Sequence, residues 1–364
     1  MRILVLNAGS SSLKSSLVGQ PGDVTVTRGE LQRPAHAGWT DALRGALRNA
    51  GRVDAIGHRV VHGGERHTAP LLLSERVLDD LGALRDLAPL HNRPALDVIE
   101  AARDALPDLP QVACFDTAFH AALDRAARTY PLPWEWNEEW ALRRYGFHGL
   151  SVAWATERAA ALLERPVADL GMVVAHLGSG CSVTAVRDGR SADTSMGMTP
   201  LEGLMMATRS GSVDPGLLLE LLDDGRVTLD ELREGLQSRS GLLGVSGVSA
   251  DVRRVASAAA GGDERAELAL EMFVRRAAAG IASAATALDR LDALVFTGGV
   301  GEHAGPVRAA ICARLRTLEV PAVLNPQSDD GDQILSLPGS PVAVLRVEAR
   351  EDLVIAREVE RLLG

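Results

Sequence analysis

Residues able to handle phosphate stand near the start of the chain. Asn7-Ala8-Gly9-Ser10-Ser11-Ser12-Leu13-Lys14 is a Gly/Ser turn that follows the apolar run Ile3 to Leu6. Such a turn exposes backbone N–H groups and hydroxyls that can cradle phosphate oxygens, although a plain hairpin turn has the same composition. Its spacing is not that of a Walker A loop. Lys14 is the single lysine among 38 basic residues. Unless chance left it there, it marks a position where a compact ammonium cannot be exchanged for a planar guanidinium, and its charge-assisted bonding suits a phosphate.

His58-Arg59-Val60-Val61-His62-Gly63-Gly64-Glu65 sets an arginine inside an apolar, strand-like stretch. A buried guanidinium needs an anionic partner. That partner is either a protein carboxylate or a ligand, and the segment admits both. Pro89-Leu90-His91-Asn92 and Phe115-Asp116-Thr117-Ala118-Phe119-His120 place polar groups at the ends of apolar runs, where satisfied core or cap residues are the ordinary outcome. Arg143-Arg144-Tyr145-Gly146-Phe147-His148-Gly149 sets a histidine just after an aromatic, between glycines. Asp193 to Pro200 runs into a Met-rich segment ending at Thr208-Arg209-Ser210-Gly211. Methionines so spaced are ordinary core, and Arg209 in its Ser/Gly turn is the functional candidate. Gly298-Gly299-Val300-Gly301-Glu302 lets a flat ligand approach backbone, which alone is weak evidence for a nucleotide.

The elements that must position these groups read as alternating strands and helices. Ile3 to Leu6 and Leu13 to Val18 flank the first Gly/Ser turn. Met172 to Leu177 and Val183 to Val186 flank a second, Gly178-Ser179-Gly180-Cys181-Ser182, before the Asp188-Gly189 turn. Two strand–loop–strand units, one early in each half, point to two domains of similar design. Three- and four-residue apolar spacing predicts helices over Leu78 to Leu87, Ala95 to Ala105 and Glu264 to Leu291. The small residues Ala277 to Gly280 and Ala282 to Ala285 permit close packing of the last. Ala293 to Phe296 reads as a buried strand entering a turn at Thr297 to Gly301, Asn325 to Ser340 as a surface loop and Leu353 to Leu363 as a terminal helix. The pattern implies an α/β fold layered on both sheet faces.

Composition narrows the function. With 364 residues, 46% of them hydrophobic, the chain suits two domains of roughly 150–200 residues each. Mean hydropathy is +0.05, and no stretch approaches the roughly 20 apolar residues that span a bilayer. The first apolar run is too short for a signal peptide. Cys114, Cys181 and Cys312 are scattered and form neither a disulfide framework nor a metal site, so a reducing cytoplasm is expected. A net charge of −10 argues against nucleic acid as a partner, but leaves room for phosphate chemistry, which needs only local cations.

Taken together, the motifs from Asn7 to Lys14, His58 to Glu65, Phe115 to His120, Arg144 to Gly149 and Asp193 to Gly197 resemble those of the acetate kinase (acetokinase) family. Thr199-Pro200-Leu201-Glu202-Gly203-Leu204-Met205-Met206 and Gly241 to Gly247 complete the set, in family order from residue 1 to about residue 352, and no residues are left over for an appended domain. The resemblance implies an α/β fold of the actin-like, sugar-kinase and chaperone ATPase superfamily: two ribonuclease-H-like domains around a central cleft. The expected domains are 1–120 with 353–364, and 121–352 carrying the nucleotide. It implies ATP/ADP as substrate, Mg2+ (or Mn2+) as cofactor, acetate as acceptor and a homodimer.

Residue by residue, the resemblance assigns Asn7 and Glu351 to the metal and Lys14 to the nucleotide phosphates. Arg59 pairs with the substrate carboxylate, while His148 and Arg209 stabilise the phosphoryl group in transit. Asp116 matches the catalytic aspartate, with His91 beside it. His176, Leu177, Gly178, Ser179 and Gly180 contact phosphates. Asp251, Val252 and Arg253, with Gly299, Val300, Gly301, Glu302 and His303, contact the nucleoside. Val61, Leu90, Phe147 and Pro200 wall a small acyl site. This chain departs from the family pattern at Ser179, Leu150, Val152, Ala207, Ser212 and Arg93, and is shorter between Lys14 and His58.

A carboxylate acceptor is already ionised near neutral pH, so positioning and cationic charge carry the reaction, and Asp116 is expected to orient groups, not to take a proton. The nearest rival is a propionate or butyrate kinase, since a methylene is worth only about 1–3 kcal/mol of discrimination. A rival of another class is an actin-like ATPase switch, which fold alone does not exclude.

Overall fold

The computed structural model describes residues 1–8, 12–19, 27–32, 39, 43, 52–83, 89–323 and 331–364, with only the backbone described at 12, 27, 28, 30–32 and 89–91. The chain divides into two compact units, Met1–Ala121 with Phe147–Trp154 and Arg350–Gly364, and Ala122–Gly146 with Ala155–Ala349. Ala121, Phe147–Trp154 and Arg350 to Asp352, expected in the second domain, fall in the first unit.

In the first unit β1 (Ile3–Ala8), β2 (Ser12–Val18), β3 (Thr27–Gln32), β4 (Ala55–Val60), β5 (Leu71–Leu72) and β6 (Gln111–Phe115) form one sheet in the order β3-β2-β1-β4-β6-β5. β1 to β3 make an antiparallel meander, β1, β4 and β6 run parallel, and β5 is antiparallel at the edge. β1 and β6 are near-continuous apolar runs, as strands covered on both faces must be. Leu4, Leu6 and Ile56 pack on Ala95, Val98 and Ala102 of the helix Pro89–Ala105. Ile3, Val5, Val112 and Cys114 face the other way, onto Ile355 and Val359 of the helix Glu351–Leu363. Gly57 lets that helix sit directly on β4, since a Cβ there would lie 2.4 Å from Ile355 Cγ2.

The second unit repeats the plan. β7 (Met172–Leu177), β8 (Cys181–Arg187), β9 (Arg190–Thr194), β10 (Ala293–Thr297), β11 (Gln333–Ile334) and β12 (Ala343–Arg346) lie in the order β11-β12-β10-β7-β8-β9. Substituting β7 for β1, β8 for β2 and so on reproduces both the order and every parallel or antiparallel pairing. The registers correspond as well. Asn7 pairs with Lys14 and Arg59, and His176 pairs with Ser182 and Thr297. The helix Glu264–Ala285 covers this sheet with Phe273, Ala277 and Ile281. Its small residues allow the expected close approach, for a Cβ on Gly280 would come within 2.5 Å of Leu204 Cδ2.

Several local expectations need correction. The long helix stops at Ala285, because Thr286, Ala287 and Leu288 donate to carbonyls three residues back and tighten the chain out of the α-helix. The expected turn after Thr297 is a short helix, Gly298–His303, entered through Gly298 at φ +77°. The helix expected from Ala95 starts at Pro89, whose ring suits a first helical position. The terminal helix starts at Glu351. The helix expected over Leu78 to Leu87 is described as Glu75–Ala83, with 84–87 outside the described residues. Of the loop expected over Asn325 to Ser340, 325–330 lie outside the described residues, and Gln333–Ile334 pairs with β12 as an edge strand. Among the described residues no helix is long and apolar enough to cross a membrane.

Candidate active site

The candidate groups of the first unit gather at the C-terminal ends of its parallel strands, where open α/β sheets bind ligands. Asn7 is the penultimate residue of β1, Arg59 its parallel neighbour on β4, and Asp116 follows β6 directly. The backbone N–H of Asp116 donates to the Val60 carbonyl at 3.1 Å, which fixes its departure from the sheet. Glu351 opens the terminal helix, whose N-terminal dipole favours an anion.

Arg59 ties these groups together. Its Nε donates to Asp116 Oδ1 at 3.1 Å, its Nη2 to Asp116 Oδ2, and its Nη1 to Asn7 Oδ1 at 3.3 Å. Glu351 Oε2 lies 3.4 Å from Arg59 Nε and accepts from Asn7 Nδ2 at 3.0 Å. Asp116 is fully buried, whereas the Arg59 side chain keeps 16% of its exposure. Burial lifts the Asp116 carboxyl above the usual carboxylate range, to about 6, with the Arg59 guanidinium opposing and the Glu351 charge adding to the rise. Burial costs the Arg59 charge, but Asp116 and Glu351 more than repay it and hold the guanidinium protonated. Of the two kinds of partner the sequence admits for Arg59, the structure supplies protein carboxylates, Asp116 and Glu351.

His148 stands beside this cluster and bonds to the Asp116 carboxyl through its backbone. It adopts φ +60°, a region costly for a residue with a Cβ. Gly149 follows because nothing larger fits, a Cβ there lying 2.2 Å from the Asp116 carbonyl oxygen. The Gly149 N–H donates to that same oxygen at 2.9 Å. Val61 and Phe147, two of the expected acyl walls, are buried, and Phe147 makes an edge contact with the His62 ring at 5.7 Å. The side chains of Leu90 and His91 lie outside the described residues. Lys14 is exposed on β2, opposite Asn7.

Supporting residues that sequence reasoning did not single out for a role complete this end of the unit. His120, buried, bonds through Nε2 to the Phe147 carbonyl at 2.9 Å. Asn92 clamps the His62 backbone from both sides, at 3.0 and 3.1 Å. The Thr117 hydroxyl accepts from the Gly63 N–H at 3.2 Å. Their signal was the polar residue at the end of an apolar run, which also describes an ordinary cap.

In the second unit His176 is the penultimate residue of β7, and Gly178 closes the following turn by donating to the Gly180 carbonyl at 3.0 Å. Leu177 is buried, and Ser179 accepts through its carbonyl from the Ala207 N–H at 3.2 Å. The helix Gly298–His303 starts against this turn, since a Cβ on Gly298 would meet Leu177 O at 2.8 Å and His176 Nε2 at 3.1 Å. Gly299 has open space where a Cβ would be. Gly301 is buried, Val300 half-buried, and Glu302 accepts from the Ala349 N–H at 3.0 Å, with the exposed His303 ring 3.8 Å away. Asp251 caps the helix Val252–Ala260 by accepting from the Arg253 N–H at 2.9 Å, and pairs with the exposed Arg253 side chain at 2.7 Å. Arg209 donates through Nη1 to the Pro200 carbonyl at 3.1 Å, and its burial lowers its proton affinity.

Among the described residues no group of three or more His, Cys, Asp or Glu side chains could hold a metal by itself. Asn7 Oδ1 and the Glu351 carboxylate nevertheless offer two hard oxygen donors side by side. That is the sparse protein contribution typical of Mg2+, which otherwise relies on water and substrate phosphates.

The model of the Acetokinase family matches residues 29–357. An acetate kinase from Synechococcus sp. (strain JA-2-3B'a(2-13)) is 44% identical, with 100% of this chain and 99% of that relative aligned. One from Bacillus subtilis (strain 168) is 39% identical, with 99% of each aligned. Among solved structures, the acetate kinase of Porphyromonas gingivalis superposes with a TM-score of 0.89 at 33% identity, covering 100% of both chains. A propionate kinase from Francisella tularensis subsp. tularensis SCHU S4 superposes at 0.90 and 36% identity, covering 98% of both. The two repeated sheets therefore have the actin-like ATPase fold of these kinases, and the chain belongs to the acetokinase family.

Proposed function

We propose that the chain transfers the γ-phosphoryl group of ATP to the carboxylate of acetate, forming acetyl phosphate and ADP, and catalyses the reverse step. The observation that carries this reading is the Arg59 constellation, in a chain of this family: a half-shielded guanidinium held edge-on by a buried carboxylate. Among the described residues, its partners occupy the Nε/Nη2 side and one N–H of Nη1. Further N–H groups on Nη1 and Nη2 remain to grip a small carboxylate.

In the forward direction an acetate oxygen bonds to the γ-phosphorus while the bond from that phosphorus to the β–γ bridging oxygen breaks. ADP leaves with the electron pair of that bond. No proton moves, because acetate is already ionised. The protein's task is to align the two anions and to spread positive charge around the moving group. Arg59 orients acetate, with Val61, Phe147, Pro200 and Leu90 around its methyl group and His91 nearby. His148 and Arg209 donate to the phosphoryl oxygens. Lys14, His176 and the Leu177-Gly178-Ser179-Gly180 turn hold the nucleotide phosphates, and Asp251 to Arg253 with Gly299 to His303 hold the nucleoside. Asp116 keeps the Arg59 plane fixed, a role that needs its charge but no proton transfer.

Asn7 and Glu351 would hold Mg2+, or Mn2+ in its place. The ion would there offset the negative charge of the phosphates. A homodimer in the cytoplasm, acting without membrane or nucleic acid, belongs to the same reading. The net charge of −10 supports the absence of a nucleic-acid partner.

Trapping with hydroxylamine tests the reaction. ATP, Mg2+ and acetate should yield acetyl hydroxamate in step with ADP. ATP loss without hydroxamate would instead identify an ATPase switch. A kcat/KM for butyrate above that for acetate would move the assignment to a longer acid.

A further inference from the structure

The second unit contains a half-buried polar lock around the loop whose Pro200 carbonyl meets Arg209. Arg144 donates through Nη1 to three successive carbonyls, those of Thr194, Ser195 and Met196, at 3.1, 3.2 and 3.1 Å. Its Nη2 pairs with Glu202 Oε1 at 2.7 Å. The other oxygen of Glu202 accepts from the Tyr130 hydroxyl at 2.6 Å, and that hydroxyl in turn accepts from the Met198 N–H at 2.7 Å. The Arg144 guanidinium also lies 5.6 Å from the Tyr130 ring centroid. Burial and the neighbouring Glu202 charge push the Tyr130 hydroxyl far above its ordinary range, so it stays a donor.

Everything in this lock bears on one loop. Gly197 sits at its centre, and its carbonyl accepts from the N–H groups of Tyr145 and Gly146. A Cβ on Gly197 would come within 1.8 Å of Glu202 Oε2 and 2.1 Å of the Tyr130 hydroxyl. Gly203, at φ +104°, packs against the Ser195 carbonyl at 2.6 Å from its would-be Cβ, and its N–H and carbonyl are both bonded to Ser212. Pro200, held between Met198 and Glu202, presents the carbonyl that receives the Arg209 Nη1.

We propose that Glu202, held by Arg144 and Tyr130, is a positioning residue for Arg209. Fixing both oxygens of Glu202 fixes the Pro200 carbonyl, and that carbonyl sets the direction of the guanidinium. A lock of this kind removes the reorganisation a mobile arginine would need when charge develops on the phosphoryl group. The inference rests on the role proposed for Arg209 in the phosphoryl transfer.

A double-mutant cycle on the full-length chain tests it, with acetyl hydroxamate formation as the readout and thermal unfolding recorded for each variant. Tyr130→Phe removes one hydroxyl without altering bulk, and Glu202→Ala removes the hub. Each should lower kcat by about tenfold or more, as a misplaced catalytic group does, with KM for acetate changed much less. In an Arg209→Ala background, the same two substitutions should lower kcat no further, whereas in an Arg59→Lys background they should act in full. Additive losses on top of Arg209→Ala, or unchanged kcat in both single variants, would overturn the inference while leaving the reading of Arg209 intact. An unchanged kcat in Arg209→Ala itself would remove that reading and the inference with it.

Discussion

Arg59 and Asp116 meet edge to edge, with Nε and Nη2 of the one donating to both carboxylate oxygens of the other across the adjoining ends of β4 and β6. Asp116 is fully buried and Arg59 only partly so, so the carboxylate acts as the anchor and the guanidinium as the working face. The pair is geometric before it is energetic. A side-on carboxylate fixes the guanidinium plane in a way no single hydrogen bond could.

That relationship makes charge at position 116 essential. Asp116→Asn should lower kcat by about 100-fold or more, the scale on which a misaligned catalytic group fails, with a raised KM for acetate. Steady-state kinetics with the hydroxamate readout will check it. Turnover unchanged in Asp116→Asn but lost in Asp116→Ala would show that shape, not charge, matters there.

The same pair predicts an acid limb in the rate. Asp116 must be ionised to hold Arg59, and its burial raises its titration to about 6. Activity should therefore rise with pH through that region and level off above it. The limb should vanish in Asp116→Asn, whose residual activity should be flat between pH 5 and pH 8, a window set around the ordinary carboxylate and histidine ranges.

Stability should depend on pH in the opposite sense to one of its parts. His58, His62 and His120 are buried and their proton affinities lowered to about 4. The unfolded chain binds more protons at these sites, so their contribution is complete above about 6.5 and lost as pH falls through 4, on the order of 3 kcal/mol for each. Asp116, raised by burial, contributes with the reverse sign as pH rises from the ordinary carboxylate range to about 6. Three groups outweigh one, and thermal unfolding should move down between pH 6.5 and pH 5. His58→Asn should make that slope shallower.

Backbone strain at His148 offers a separate check. At φ +60° a glycine is unstrained and an alanine is not. His148→Gly should accordingly be more stable than His148→Ala by about 1 kcal/mol, although both lose activity. The reverse order in chemical denaturation would show that the left-handed conformation is not retained.

Much of this was legible in the sequence because it depends on neighbours. The apolar run, the Gly/Ser segment and the second apolar run of Ile3 to Val18 recur at Met172 to Val186, and the two pairs of apolar runs become antiparallel strands of corresponding meanders, the second joined by a connection one residue shorter between paired positions. Arg59 within Ala55–Val60 announced a buried partner. Which partner was not legible, since Asp116 lies 57 residues away and Glu351 comes from the last helix. The turn expected at Gly298 is a helix: its glycines read as loop, yet Gly298 at its start packs against Leu177 and His176 of another strand. Tyr130 carried no signal, and Arg144 and Glu202 stood inside motifs of the family resemblance without a role of their own. Their bonds span 58 and 72 positions, and each residue alone resembles a surface polar group.

The most direct test of the account follows the oxygen of the acceptor. With acetate carrying ¹⁸O in both carboxylate positions, ATP and Mg2+, the acetyl phosphate formed should contain a P–¹⁸O bond, seen as an isotope-shifted ³¹P resonance beside that of ADP. Acetyl phosphate lacking that bond, or inorganic phosphate as the sole new phosphorus species, would contradict direct attack by a carboxylate docked on Arg59.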